Sequence, residues 1–184
     1  MRQMKRVLMC VTFCAFACGI GAGQDIHTAT AKECQVDLQR PAKQVFARID
    51  DGHSWRTYKT LGDVPELSLD SGVSVEAWTG QTGRLLIRTV EPGEDFWTYT
   101  EYCFDKEGRL DRVSLEVRTA WGWAFRTSGQ VKGTVLHAES SAYFDTKSNT
   151  RIPKPEGADD ISAALKPTLY PETTKLPFFK LLSK

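Results

Sequence analysis

Between residues 73 and 145 the chain repeats one local theme: runs of β-branched and aromatic residues cut by short links that contain glycine. The runs are VSVEAWT, RLLIRTVE, FWTYTEYCF, RLDRVSLEVRTAWGWAFR and VKGTVLHAESSAYF, and the links are GQTG, PGED, DKEG and TSGQ. Links this short join neighbouring antiparallel strands, because a parallel pair needs a crossover of a dozen or more residues. The chain therefore reads as mainly β, an antiparallel meander. FDKEGRL (104–110) has the aromatic-Asp-x-x-Gly-x-Leu form of many bacterial hairpins and resembles those of YD-type repeats. It occurs once, so it marks a turn and not a family.

The run from 109 to 126 carries the strongest alternation. Val113, Leu115, Val117, Thr119, Trp121, Trp123 and Phe125 form one row, and charged or small residues form the other. The apolar row predicts an inward face of Val113, Leu115, Val117, Trp121, Trp123 and Phe125. Arg112, Glu116, Arg118 and Arg126 should meet water or cross-strand partners. One strand of this length would span about 60 Å at about 3.3 Å per residue. It must bend, and Gly122, between Ala120 and Ala124, is the expected place. The expected sheet is strongly curved, a half-barrel or barrel, with a short C-terminal helix.

Flanking segments fit the same plan. ECQVDLQ (33–39) alternates Cys34, Val36 and Leu38 against polar residues and reads as a strand ended by Pro41. QVFARID and HSWRTYK flank Asp51-Gly52, a hairpin signal, although Val45, Phe46 and Ile49 also fit a helix begun at Pro41. Residues 60–72 form a connector. ADDISAALK (158–166) reads as a helix with acids in its first turn, Lys166 in its last and Pro167 beyond it. The tail carries Leu176, Phe178, Phe179, Leu181 and Leu182, too apolar to be left in water, so it should dock on the sheet or cap its open end.

The N-terminus reads as a targeting segment over residues 1–23. Arg2, Lys5 and Arg6 precede the uncharged run VLMCVTFCAFACGI, and Gly21 and Gly23 precede a cut before Gln24. The apolar run is short for a membrane span, which takes about 20 residues. Ala15-Phe16-Ala17-Cys18 resembles a bacterial lipobox with alanine where leucine is usual. That resemblance implies a second processing route, lipidation of Cys18 and a membrane anchor. Removing 23 of 184 residues leaves 161, one β-rich exported domain over residues 24–184. Removing three positive charges from a net charge of +1 leaves −2, which offers no footprint for nucleic acid.

Chemistry-bearing motifs are sparse. His27, His53 and His137 have no partner at metal-ligand spacing, so no metal or cofactor is implied. His27 falls in an expected disordered leader, His53 at a hairpin tip, and His137 on a strand, half-buried. No nucleophile elbow, P-loop or dinucleotide fingerprint occurs. Glu94 and Asp95 sit in a turn beside Pro92-Gly93. The mature chain keeps only Cys34 and Cys103; in an oxidising compartment they are expected to bridge rather than to supply a nucleophile.

Aromatic residues are the remaining candidates for a site. Core packing is the default for five tryptophans in a domain of this size. If the sheet forms a cup, Trp97, Trp121, Trp123 and Phe125 would line it and hold an apolar ligand. The sequence therefore points to an exported, periplasmic or secreted, non-catalytic binding module, with an apolar ligand or an envelope protein as partner. A carrier of a small apolar ligand is the alternative, and a hydrolase the third reading.

Overall fold

A computed structural model describes residues 26–48, 54–65 and 72–182. The expected targeting segment with Cys18, the expected Asp51-Gly52 turn and His53 lie outside these residues. Among the described residues nine strands form one antiparallel sheet in the order β2-β1-β3-β4-β5-β6-β7-β8-β9. They are β1 Gln44–Arg48, β2 Trp55–Tyr58, β3 Val73–Thr79, β4 Leu85–Pro92, β5 Phe96–Phe104, β6 Leu110–Thr119, β7 Trp123–Lys132, β8 Val135–Asp145 and β9 Arg151–Ile152. The edge strands β2 and β9 do not pair with each other, so the sheet is open and no barrel closes. The hairpin reading of β1 and β2 holds, and β1 pairs with β3 on its other side.

The long run is two strands. β6 and β7 form a hairpin around Ala120, Trp121 and Gly122. Gly122 has φ +89°, a conformation open to glycine and strained for other residues, so the chain reverses where a bend was expected. The Thr119 hydroxyl donates to the Trp123 carbonyl at 2.8 Å and closes the turn. Val117 pairs with Phe125 across this hairpin, which is why the apolar parity survives the reversal. Val113, Leu115 and Val117 are buried and Trp123 nearly so, but Trp121 sits at the tip and is 50 % exposed. Its expected inward placement is thus corrected. The link expected at residues 127–130 is also displaced. Those residues lie inside β7 at a register shift, and the reversal falls at Gly133 and Thr134.

The sheet has two faces and each is covered by a different part of the chain. On one face Phe46, Val75, Ile87, Tyr102, Phe104 and Val113 form the main core. The chain beyond β9 crosses this face as a strap. Its backbone is held where the Leu110 amide donates to the Pro171 carbonyl and the Thr173 amide to the Gly108 carbonyl, both at 2.9 Å. Leu176 and Phe178 are buried, and the Phe178 ring lies 5.7 Å from Phe46 and 5.0 Å from Trp55. The tail docks as expected and ends in the short helix α2, Phe179–Leu182. The expected helix over 158–166 is instead a succession of turns. Amides of Asp160, Ser162, Ala164 and Lys166 each reach back three residues, without a helical ladder. A segment this short cannot repay helix nucleation by itself.

The opposite face is covered by the N-terminal helix α1, Ile26–Glu33, and by the loop that follows it. The expected strand over 33–39 is therefore absent, and His27 lies in a helix rather than in a disordered leader. Gln35 takes φ 57° and ends α1, its amide reaching Lys32 and the Val36 amide reaching Ala31, the Schellman arrangement. The alternation that suggested a strand still reports burial, since Cys34, Val36 and Leu38 all join one cluster with Trp78, Leu86 and Cys103. Cys34 is bonded to Cys103 with α-carbons 5.7 Å apart. Gly80 lies against this segment so closely that a β-carbon would stand 2.7 Å from the Cys34 carbonyl oxygen.

Two predictions follow from these coverings. The Cys34–Cys103 bridge spans a sequence separation of 69 residues, for which loop-closure entropy gives about 4 kcal/mol. Denatured, unreduced protein should take up no alkylating label at these cysteines, and reduction should lower the denaturant midpoint accordingly. Two labelled thiols before reduction would refute the bridge. Phe178→Ala should cost about 3–5 kcal/mol, and deletion of residues 174–184 at least as much. Unchanged melting of the deleted protein would show that the tail serves something other than the fold.

Candidate functional site

A cavity of about 380 Å³ lies between the main core face and the strap. Its sheet side is built by alternate residues of β4 and β5. Thr89 pairs directly with Thr100, and Thr98 and Tyr102 follow on the same face of β5. Strand geometry places every second side chain on one face, so the row Phe96, Thr98, Thr100, Tyr102 and Phe104 all point toward the strap. Thr100 and Tyr102 are buried. Aromatic walls come from Trp55 of β2, Phe96 of β5 and Tyr170 and Phe178 of the strap. Tyr170 meets Tyr102 edge-on at 5.6 Å. The ionisable groups of the lining, Arg48, Glu91 and Lys166, come from the ends of β1 and β4 and from the strap.

Burial dominates the electrostatics of this cavity. It pushes the Tyr102 phenol well above its ordinary value, Tyr170 adds to the effect, and the nearby Thr100 and Thr89 hydroxyls oppose it. Burial also raises the Tyr170 phenol, with Glu91 raising it further and Arg48 lowering it. Both phenols therefore remain protonated donors at neutral pH. The cavity wall offers hydroxyl groups and aromatic faces, and His137 does not line it.

The other face carries charge inside the sheet. Glu76, Arg88, Glu101 and Ser114 stand in register across β3, β4, β5 and β6. Arg88 donates to one Glu101 oxygen from Nη2 at 2.7 Å and from Nε at 3.0 Å. Burial raises the Glu76 carboxyl pKa, Arg88 opposes this and Glu101 adds to it. Further along, Glu116 is fully buried and accepts from Arg118 at 2.6 Å and from Arg126 at 3.2 Å. Arg112 pairs with Glu33 of α1 and with Glu139 of β8. Glu116 and Arg126 are cross-strand partners as expected, although Glu116 is removed from water altogether, while Arg118 meets Glu116 of its own strand. A carboxylate between two guanidiniums is an ion-pair ladder that satisfies buried charge. It is not an acid and a base facing each other across a cleft.

The residues singled out from the sequence are split by the sheet. Trp123 and Phe125 share a face, each close to Tyr143, with ring centroids 5.8 and 5.0 Å apart. Trp121 touches Trp123 at 6.0 Å from the hairpin tip. Trp97 pairs with Arg118 on the opposite face and is 42 % exposed. None of the four lines the strap cavity. Phe125 and Tyr143 wall a separate open groove with Ile152 and Lys154. His137 is exposed on β8 rather than half-buried. Glu94 and Asp95 are exposed in the β4–β5 turn, and Cys103 is consumed by its bridge. Among the described residues no group of three or more His, Cys, Asp or Glu could hold a metal ion. No described helix is long and apolar enough to cross a membrane.

Threonines supplied the missed signal. In FWTYTEYCF the row Phe96, Thr98, Thr100, Tyr102, Phe104 is apolar at both ends and hydroxylated within. A threonine is at home in any strand, so this parity distinguishes a cavity wall from a polar face only when something covers it. No family model, curated protein or solved structure matches the chain. The fold and the cavity stand on their own chemistry.

Two tryptophans adjacent in the β6–β7 hairpin should behave differently. Trp123→Ala removes a ring that is 5 % exposed and should cost about 3–5 kcal/mol. Trp121→Ala, at the half-exposed tip, should cost about 1 kcal/mol or less. Denaturant unfolding of the two variants checks this, and equal losses would mean the tip is packed as tightly as the strand.

Proposed function

We propose that this chain is an exported, non-catalytic binding module that holds a small molecule in the cavity between the sheet and the strap. The carrying observation is that cavity, about 380 Å³, within the range of small-molecule sites. It has aromatic walls and a few convergent polar groups, the usual make-up of such sites. In this reading the open sheet curves as a half-barrel around the strap, and the strap is the cover of the cup. The leader over residues 1–23 directs export to the periplasm or beyond, with cleavage before Gln24 and lipidation of Cys18 as the other route. The bridged cysteines are in keeping with an oxidising compartment.

Contact with an envelope protein is a second reading, favoured by the two exposed tryptophans. The β4–β5 and β6–β7 turns touch where the Ala120 amide donates to the Asp95 carbonyl at 2.8 Å. Trp97 and Trp121 stand out near that end of the sheet. Exposed aromatics of this kind are enriched at interaction surfaces.

Native mass spectrometry of protein purified from its exported compartment tests both readings. The expected spectrum shows a chain starting at Gln24 with one small molecule retained, and Thr100→Trp, which fills the cavity wall, should lose that molecule. A folded wild-type protein that carries nothing and takes up no ligand would overturn the cavity reading. A co-purifying protein lost on Trp97→Ala and Trp121→Ala would move the assignment to that end of the sheet.

A further inference from the structure

Resting on the cavity reading above, we infer that the ligand is an uncharged, hydroxyl-bearing ring, a sugar unit, held between aromatic faces and the hydroxyl row of β4 and β5. Three observations carry this. The first is where the hydroxyls lie. Thr89, Thr98, Thr100, Tyr102 and Tyr170 all line one cavity. Each of these hydroxyls can both donate and accept a hydrogen bond. Buried polar groups are nearly always partnered, and an acyl chain in this cavity would leave these groups facing hydrocarbon. A ligand hydroxyl accepts from one such group and donates to the next.

The second observation is the distribution of charge. The sheet wall formed by Thr89, Thr98, Thr100 and Tyr102 contains no ionised group, while Arg48, Glu91 and Lys166 supply both signs around it. The Arg48 guanidinium is already stacked over Trp55, 5.7 Å from the ring centroid. A carboxylate or phosphate lying on the threonine wall would meet neutral donors and no cation on that wall, and it would also approach Glu91. A neutral ligand carries no such desolvation cost.

The third is shape. Trp55 and Phe178 meet edge to face, and Tyr170 stands edge-on to Tyr102, so flat π surfaces border the cavity in different directions. The axial C–H groups of a pyranose ring are weakly positive and match the negative face of an aromatic ring. The hydroxyls around the ring edge would meet the threonines and tyrosines at the same time. A volume of about 380 Å³ is at the small end for ligand sites, in keeping with one or two rings rather than a long chain.

The test uses mature wild-type protein with methyl pyranosides of glucose, galactose, mannose and N-acetylglucosamine, against octanoate and methyl glucuronide. Ligand-observed NMR and tryptophan fluorescence report binding. At least one neutral glycoside should bind, and Tyr102→Phe should weaken it about tenfold while the melting temperature holds, as loss of one hydrogen bond does. A deoxy analogue of that glycoside should lose affinity to a similar degree. If Tyr102→Phe does not fold, Thr98→Val is read in its place. Binding of octanoate undiminished by Tyr102→Phe would overturn the sugar assignment and leave the cavity reading standing. Preference for the glucuronide would overturn the neutral character. No binding by any probe at millimolar concentration would overturn the sugar assignment, and with an empty native spectrum it would overturn the cavity reading too.

Discussion

One open sheet with no second sheet against it has two faces to remove from water, and that constraint organises the rest of this protein. A β-sandwich solves the problem by pairing two sheets, and a barrel by closing one. Here nine strands remain open, and single lengths of chain do the covering. The strap beyond β9 covers the main core face, anchored by Phe178 between Phe46 and Trp55. Helix α1 and the loop after it cover part of the other face. A strap is thinner than a sheet and cannot follow every side chain beneath it. Space is left where the strap bridges β4 and β5, and that space is the cavity.

The two faces differ in chemistry because their covers differ. On the β4–β5 wall under the strap Thr89, Thr98, Thr100 and Tyr102 supply hydroxyls, which can be buried beside aromatics when each finds one partner. On the opposite face charged residues are buried beside Ser114, and ion pairs neutralise them. Arg88 serves Glu101, and Arg118 and Arg126 serve Glu116. The pairs Arg88–Glu101 and Arg126–Glu116 fix strand register, since a slip by one residue would part each guanidinium from its carboxylate.

The bridge between Cys34 and Cys103 ties these layers together. β5 contributes Cys103 to one face and Thr100 and Tyr102 to the other. The strand that forms the cavity wall is thus the strand to which α1 is covalently attached. The close approach of Gly80 to the Cys34 carbonyl oxygen adds a backbone contact at the same place.

Local chemistry in the sequence determined the strands β3 to β5, the shared face of Val113, Leu115, Val117, Trp123 and Phe125, the docking tail and the pairing of Cys34 with Cys103. Each rests on alternation, glycine-containing turns or burial, which act between near neighbours or through apolarity alone. Tertiary structure decided the rest. Whether the chain at Gly122 bends or reverses depends on what the next strand pairs with, and it reverses, which puts Trp121 at a tip. Cys34, Val36 and Leu38 read as a strand because alternation cannot distinguish a strand from a helix end followed by a loop packed on the same core. The turns over 158–166 carry helical composition but take the path the strap requires. The cavity was hidden for the same reason: Thr98 and Thr100 become its wall only because a segment some seventy residues later, around Tyr170, lies across them, and no local rule places that segment there.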